Sequence, residues 1–446
     1  MSTTEIYHDY DFSEPLFNWR KFKQMITGRK RFFAAISTVI LVERSYARLN
    51  RKVRRGKEKH GWTKDTIIPM YKELHKINAN RMYRLCKSNG AIWVKFAQFL
   101  SARPDILPRA YIEALKPLQN DNRSVPFSAL IPTLTEELGP DWRDSFEWID
   151  EKPVATASIA QVHKAKLKNG QEVAIKIQLP AVEKLFDQDF TVMQILGRFL
   201  NGKIPQIDVI QMIRFMLEMT AEEINFKYEY ANTKQFGELD HQPRIRVPVL
   251  QHEFCKTKVM VTNWINGLRL VDVLDQNHKS GDIDKIKDLL EVLQNSYMQQ
   301  ITKFGVFQAD PHPGNFLVDD EDNVWIVDYG TIGRLTPEET MNFSMLIVAM
   351  MQGDRKNLGP LMKKAGFKGL DNDVVEELSA YAYKPKKAMK ENHRGQTMDE
   401  VMNGFMERFQ EAHVEVPDSF IAIGRVLATL GGFFQTYKIR FEGMPF

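Results

Sequence analysis

The spacing of apolar positions divides the chain into a helical first part, a middle part rich in strands and a helical last part. Apolar side chains recur every three or four residues in 66–86 and 91–102, which predicts helices. In the middle part, two β-rich runs flank Asn169-Gly170, a dipeptide typical of a tight hairpin. Residues 258–265 also have strand character, and helical periodicity returns after residue 269.

These changes in pattern predict four segments. They are a basic segment (1–60), a helical extension (61–145), a strand-containing region (146–268) and a helical region that also holds short strands (269–446). With 446 residues, 43% of them hydrophobic, the chain is long enough for two or three units with cores of their own.

The first segment carries most of the positive charge. Residues 17–60 contain 14 Lys and Arg against two acids, although the whole chain has a net charge of only +4. Inside it, 32–42 is an apolar run of 11 residues, whereas a spanning helix needs roughly 20. Two interpretations stay open: a helix lying on an anionic membrane surface, or a core helix with solvated basic flanks. Nucleic-acid binding is disfavoured, because no known reader motif accompanies the charge.

Composition restricts the cellular setting. Two cysteines, Cys86 and Cys255, exclude a disulfide scaffold and fit a reducing compartment. The polar and acidic start does not resemble a secretory signal, and no run is long and apolar enough for a transmembrane helix. We therefore expect a cytoplasmic protein, peripheral at the inner face of a membrane if the basic segment binds lipid.

The strongest chemical signal lies in 306–330. Asp310 is followed five positions later by Asn315, and a D-Y-G triplet starts at Asp328. The apolar run 324–327 predicts a buried strand that delivers Asp328 to a loop. This spacing is typical of a kinase catalytic loop and metal loop, in which one carboxylate orients the acceptor while an amide and a second carboxylate hold Mg²⁺.

A phosphate-binding lysine is expected upstream. Lys176 ends a V-A-I-K strand and precedes the catalytic loop in the order that kinases use. Its helix partner would come from Glu222, Glu223 or Glu229. The segment 153–163, where kinases have a glycine-rich loop, contains no glycine, and its small residues predict a looser approach to phosphate.

Four stretches together resemble the UbiB-type atypical kinases, also called the AarF or ADCK family. They are VKFAQFLSARPDILP at 94–108, ATASIAQVH at 155–163 with VAIK after it, EINFKYEYAN at 223–232, and QADPHPGN at 308–315 with DYG after it. The resemblance implies an α+β, bilobal protein-kinase-like fold with an N-terminal helical extension, in which 146–268 is the small lobe and 269–446 the large one. It also implies the cofactors ATP and Mg²⁺.

The resemblance assigns roles to individual residues. Asp310 would be the catalytic-loop aspartate, Lys176 would bind phosphates and pair with Glu229, and Asn315 and Asp328 would hold the metal. The remaining nucleotide-site residues that it implies are Ala155, Thr156, Ala157 and Ser158 in the loop, Lys95 and Gln98 in the K-x-G-Q-like motif, and Glu223.

Four positions depart from the family pattern: Ala97 replaces glycine, Asn225 and Asn263 replace acids, and Gln308 replaces the usual histidine. None is Lys176, Asp310, Asn315 or Asp328, so we expect the ATP-binding machinery to be intact.

Three functions are compared. The first is a Mg-ATP-dependent kinase or ATPase that supports quinone or other prenyl-lipid biosynthesis at a membrane, with a lipid or quinone precursor and biosynthetic complex proteins as partners. The alternative is a nucleotide-binding, non-catalytic scaffold or regulator of a lipid-biosynthetic complex, which Ala97, Asn225 and the glycine-free loop favour. A soluble small-molecule phosphotransferase explains the catalytic loop but leaves SARPDILP without a role.

Overall fold

The computed structural model describes residues 28–101, 107–120, 124–180, 182–202, 209–352, 354–371, 375 and 414–439. Three sequence predictions fall partly outside these ranges. They concern residues 17–27 of the basic segment, 102–106 of the SARPDILP stretch and much of the last helical region.

The helices follow the periodic segments of the sequence. In the first half of the chain they are α1 (Arg29–His60), α2 (Lys64–Asn89), α3 (Ala91–Ser101), α4 (Arg109–Leu115), α5 (Ile131–Leu138), α6 (Val182–Leu200) and α7 (Val209–Ile224). In the second half they are α8 (Phe226–Gly237), α9 (Leu270–Ser280), α10 (Ile283–Gln299), α11 (Pro337–Gln352), α12 (Arg355–Lys364) and α13 (Asp418–Thr436). The helices predicted over 66–86 and 91–102 are confirmed as α2 and α3.

The strands form three sheets. They are β1 (Phe146–Ile149), β2 (Ala155–Thr156), β3 (Ala160–Leu167), β4 (Glu172–Gln178), β5 (Ile245–Arg246), β6 (Val259–Asn263), β7 (Gly267–Arg269), β8 (Val306–Gln308), β9 (Phe316–Asp319), β10 (Val324–Ile326) and β11 (Ile332–Arg334). The first sheet has the order β1-β3-β4-β6 with β2 beside β3, the second has the order β5-β10-β9-β7, and β8 pairs with β11. The hairpin predicted around Asn169-Gly170 is confirmed as β3 and β4, with Gly170 at φ +87° in the turn.

The chain forms two compact units that share β3 and β4. The first contains Met1–Ser145, Ile149–His163 and Lys176–Asn225, and the second contains Phe146–Trp148, Lys164–Ile175 and Phe226–Phe446. Each of these two strands therefore begins in one unit and ends in the other. The four-segment division read from the sequence stays a prediction.

In the first unit, a buried carboxylate joins three helices. Asp189 of α6 is fully buried and accepts hydrogen bonds from the Arg31 guanidinium of α1 and from Trp93 Nε1 of α3, the latter at 3.0 Å. Burial raises the pKa of Asp189, although the hydrogen bond and charge of Arg31 and the Trp93 bond act in the opposite direction. Because an unpaired buried charge is costly, these bonds fix α1 against α3 and α6.

In the second unit, one apolar core supports the strands of the segment 306–330. Leu289, Leu293 and Tyr297 of α10 pack under Phe316 of β9 and Ile326 of β10. β9 and β10 are antiparallel, and the turn between them contains Asp322 at φ +62°. The strand predicted before Asp328 is confirmed, and it ends at Ile326, so that Asp328 lies in the following loop.

Candidate active site

The loop from Asp310 to Asn315 is held by hydrogen bonds to one backbone carbonyl. Three donors converge on the Asp310 carbonyl oxygen: His312 N at 2.7 Å, Gln308 Nε2 at 2.7 Å and Asn315 Nδ2 at 3.0 Å. His312 Nδ1 accepts a hydrogen bond from Gly314 N at 3.1 Å. Asp310 itself is exposed. The backbone is thus fixed while the carboxylate faces solvent, where an acceptor molecule can reach it.

Gln308 links this loop to the D-Y-G loop. Its Nε2 donates to the carbonyl oxygens of Asp310 at 2.7 Å and Asp328 at 3.3 Å. Its Oε1 accepts from Tyr297 OH at 2.6 Å and from Asp310 N at 3.2 Å. The amide therefore uses both donors and both acceptor positions in a fully buried location. Complete burial raises the pKa of Tyr297 well above its usual value, which keeps the phenol protonated as a donor.

Two carboxylates flank Gly330 in the D-Y-G loop. A Cβ atom added at Gly330 would lie 3.1 Å from Asp328 Oδ1 and 3.9 Å from Glu229 Oε2. Asp328 Oδ1 also accepts from Gly330 N at 2.8 Å. A Cβ at this position would crowd the Asp328 carboxylate, whereas its contact with Glu229 would be an ordinary one.

Two further side chains hold these two loops in place, one at each loop. Asn232 of α8 donates to the Tyr329 carbonyl at 3.0 Å and accepts from Arg334 at 2.9 Å. Arg425 of α13 donates to the Ala309 carbonyl at 2.7 Å. Helix α13 thus binds the main chain just before Asp310, and helix α8 binds the main chain just after Asp328.

The oxygen donors at these loops fit a magnesium ion. The amide nitrogen of Asn315 is bound to the Asp310 carbonyl, which assigns the other end of the amide as the oxygen. Mg²⁺ binds through oxygen and usually keeps one or two carboxylates plus water and phosphate. Across the described residues no group of three or more His, Cys, Asp or Glu could hold a metal.

The first unit brings Lys95 and Glu223 together. Lys95 Nζ of α3 forms an ion pair with Glu223 Oε1 of α7, and both side chains are partly buried. Gln98 lies one turn further along α3 and is half-buried, and Ala97 is fully buried between them. The methyl group at position 97 is therefore accommodated inside the unit.

Glu223 and Glu229 lie on two consecutive helices. The break occurs at Asn225, since Phe226 N donates to Thr257 O at 2.9 Å instead of to a carbonyl of its own helix. Glu223 ends α7 in the first unit, and the buried Glu229 belongs to α8 in the second. The different roles predicted for Glu223 and Glu229 stay predictions.

The segment 153–163, which has no glycine, forms a short strand and a turn whose backbone conformation suits residues other than glycine. Ala155 and Thr156 form β2, which pairs with Val162 and Gln161 of β3. Ala157 N donates to Ala160 O at 2.8 Å and closes the turn that contains Ser158. No residue of this turn has a positive φ, so residues with a Cβ adopt it without strain.

Lys176 is half-buried on β4, on the side of the strand opposite Val173, Ile175 and Ile177. It belongs to the first unit, whereas Glu229, Asp310, Asn315 and Asp328 belong to the second. The pairing of Lys176 with Glu229 stays a prediction.

Comparison with known proteins identifies the family. The model of the ABC1 atypical kinase-like domain matches residues 117–362, more than half of the chain. The chain belongs to the ABC1 atypical kinase family. The resemblance to UbiB/AarF/ADCK proteins is thereby confirmed, and a kinase-like domain implies nucleotide use in general.

Relatives of the ABC1 family include plant and animal proteins. The chain is 28% identical over 393 residues to the chloroplastic protein Activity of BC1 complex kinase 1 of Arabidopsis thaliana, covering 85% of this chain and 56% of the relative. It is 26% identical to AarF domain-containing kinase 1 of Drosophila melanogaster, covering 69% of this chain and 60% of the relative. The chain thus spans little more than half the length of these two proteins.

A solved structure supports the kinase-like fold. It is a Mycobacterium tuberculosis protein determined in complex with erythromycin, with a TM-score of 0.53 and 25% sequence identity. The match covers 84% of this chain and 95% of the other. The predicted α+β class with a helical N-terminal region is confirmed, and the bilobal arrangement stays a prediction.

Sequence reasoning missed Gln308, Tyr297, Asn232 and Arg425 as parts of the site. Gln308 was noticed only as a departure from the family pattern, and Asn232 ends a stretch quoted for the resemblance. Tyr297 and Arg425 have no motif that marks them. Their roles follow from hydrogen bonds that form only after the second unit has folded.

Proposed function

We propose that the chain is a Mg-ATP-dependent phosphotransferase or ATPase that supports the biosynthesis of a quinone or another prenyl lipid at a membrane. One observation carries the catalytic part of this proposal. Asp310, Asn315 and Asp328 are joined through the Gln308 amide and the Asn315 side chain, while Asp310 stays exposed.

Each residue has a definite task in this proposal. Asn315 and Asp328 would hold Mg²⁺, which when bound neutralises charge on the phosphates. Asp310 would orient an acceptor hydroxyl or water and take its proton. Lys176 would bind phosphate oxygens, and Glu229 would position the Lys176 ammonium group. Catalysis would then rest on positioning and charge neutralisation.

The Lys95–Glu223 ion pair supports a more restricted reaction than that of a protein kinase. A lysine and a glutamate of the motif stretches are already bound to each other, which holds α3 against α7. The small-residue turn at Ala157 and Ser158 also lacks the flexibility of a glycine-rich loop. Both features favour a small or lipid acceptor over a peptide.

The acceptor and the membrane setting rest on the family resemblance and on the basic first segment. Along the described residues, no helix has the length and apolar character needed to span a bilayer. Quinone-like phenols and prenyl alcohols are the acceptor classes to try first, presented in liposomes that contain anionic lipid.

The test compares Asp328→Asn with Asp320→Asn in the purified full chain. Asp320 is an exposed carboxylate in the turn between β9 and β10, so the second variant is a matched loss of charge outside the site. We expect ATP turnover with Mg²⁺ to fall about 100-fold or more in Asp328→Asn and to stay unchanged in Asp320→Asn. Mg-ATP should raise the melting temperature of the wild type more than ATP alone does.

The second candidate is a nucleotide-binding scaffold without turnover. The replacement of family residues at Ala97, Asn225 and the turn at 155–158 favours it. If wild type and Asp328→Asn show equal, negligible turnover and complement a deletion strain equally well, the scaffold replaces the enzyme as the conclusion.

A further inference from the structure

The exposed face of α1 changes from apolar to strongly basic along its length. This helix has 32 residues and is therefore about 48 Å long. Positions spaced three or four apart lie on one side of a helix. Such a line of exposed residues contains Phe33, Ser37, Leu41, Arg44, Arg48, Arg51, Arg55 and Lys59.

The opposite side of α1 is packed inside the first unit. Ala35, Val39 and Val53 are buried, and Arg31 is bound to Asp189. In contrast, Phe33 is 65% exposed and Leu41 is 48% exposed. The line of exposed residues is thus not the side that the protein core covers.

A basic cavity occupies the C-terminal half of this face. It has a volume of about 510 Å³, and its lining includes the cations Arg48, Arg51, Lys52, Arg55 and Lys59. In the described part of the chain, no ion pair joins any of them to a carboxylate. Like charges at this spacing repel one another, so the arrangement favours a bound anion.

The base of the cavity is shaped by a glycine. Trp62 folds back onto the helix, and a Cβ atom at Gly56 would lie 2.2 Å from the Trp62 ring. The rings of His60 and Trp62 stack with centroids 6.4 Å apart. Only glycine permits this contact, and Trp62 lines the cavity together with the cations.

We propose that this cavity binds the phosphate of an anionic phospholipid headgroup, with Phe33 and Leu41 entering the lipid surface from the same face of α1. Arginine and lysine side chains are the usual ligands of phosphate. Exposed apolar residues in line with the cations distinguish a lipid surface from a soluble phosphate. The site lies outside the residues that the ABC1 model matches, and the proposal rests on the membrane setting of the proposed function, for which it names the lipid-binding residues.

The experiment measures co-flotation of the full chain with vesicles, without nucleotide. One set of vesicles is phosphatidylcholine alone, and the other is phosphatidylcholine mixed with phosphatidylglycerol. The cavity variant is Arg51→Gln/Arg55→Gln. The matched control is Arg54→Gln/Lys57→Gln, which removes the same charge from exposed positions of the same helix that do not line the cavity.

We expect the wild type to bind only the anionic vesicles. With about 1 kcal/mol for each cation at the surface, the cavity variant should bind about 30-fold more weakly, and the control should stay within about threefold of the wild type. A Phe33→Ser variant should lose vesicle binding but keep any binding of soluble glycerol phosphate. Unchanged melting temperatures would show that the variants fold.

Several results would overturn the proposal. They are no binding of the wild type to anionic vesicles, equal losses in the cavity variant and the control, or binding of glycerol phosphate through Arg51 and Arg55 without vesicle binding. The last result would assign the cavity to a soluble phosphate. Because no nucleotide is present, failure here leaves the ATP-turnover test unaffected, and the reverse also holds.

Discussion

The amide of Gln308 provides the sharpest test of how the two catalytic loops are positioned. In Gln308→Leu, a side chain of similar size removes all four hydrogen bonds of the amide. Tyr297 OH is then left without its acceptor in a fully buried site. We expect the two loops to lose their fixed separation and the unit to lose stability.

The size of the stability loss in Gln308→Leu depends on which of the freed groups can form other hydrogen bonds. A buried donor without an acceptor costs about 1–3 kcal/mol. Asp310 N lies next to an exposed side chain and can reach water, and the Asp310 carbonyl keeps two other donors. The Tyr297 hydroxyl therefore dominates, and the free energy of unfolding should fall by about 3 kcal/mol in Gln308→Leu.

A double-mutant cycle with Tyr297→Phe separates the cost of the unpaired Tyr297 hydroxyl from the other effects of Gln308→Leu. Tyr297→Phe alone should cost about 1 kcal/mol, because Gln308 Oε1 keeps its bond from Asp310 N. In the double variant the buried hydroxyl is absent, so the cost should be smaller than the sum by about 1–2 kcal/mol. Urea denaturation measures the free energy of unfolding of the two single variants and the double variant. The stabilisation by Mg-ATP shows whether the two loops keep their positions.

The outcome that refutes this reasoning is an additive cycle with unchanged Mg-ATP stabilisation in Gln308→Leu. Gln308→His provides a comparison with the usual family residue. A neutral imidazole has one donor and one acceptor, so it can replace only two of the four bonds. Its stability should lie between those of the wild type and Gln308→Leu.

Three other substitutions test separate features. Burial acts to raise the pKa of Asp319, but hydrogen bonds within the β9–β10 turn outweigh it and lower the pKa. Asp319→Asn should therefore cost about 1 kcal/mol at neutral pH, and this cost should vanish as pH falls through the folded-state pKa, in urea denaturation at several pH values. Gly330→Ala should weaken Mg-ATP stabilisation in a thermal-shift assay with little change in the melting temperature of the free protein, since the new methyl displaces the Asp328 carboxylate by a few tenths of an ångström. Arg31→Met should cost about 3–5 kcal/mol at neutral pH and less in acid, where Asp189 becomes protonated, and an unchanged free energy of unfolding would contradict this.

Local signals in the sequence predicted the parts of the structure that local physics determines. The hairpin at Asn169-Gly170 follows from a turn dipeptide between two β-rich runs, and the loop position of Asp328 follows from the apolar run before it. Family motifs identified the candidate residues, because their order along the chain is distinctive.

Contacts between distant residues could not be predicted in this way. Lys95 and Glu223 are far apart in sequence, and only the packing of α3 on α7 brings them together. The helix break at Asn225 depends on a hydrogen bond to Thr257, which no periodicity reveals. The four bonds of Gln308 likewise require α10, β8 and the D-Y-G loop to be assembled first.

The shared carboxylate of Asp189 has a mechanical consequence. Its two donors belong to different helices, and Trp93 is only two positions from Lys95 on α3. A force that pulls on α1 must therefore either break these bonds or drag α3 along with it. Movement of α1 is therefore coupled to movement of α3, the helix whose Lys95 is paired with Glu223.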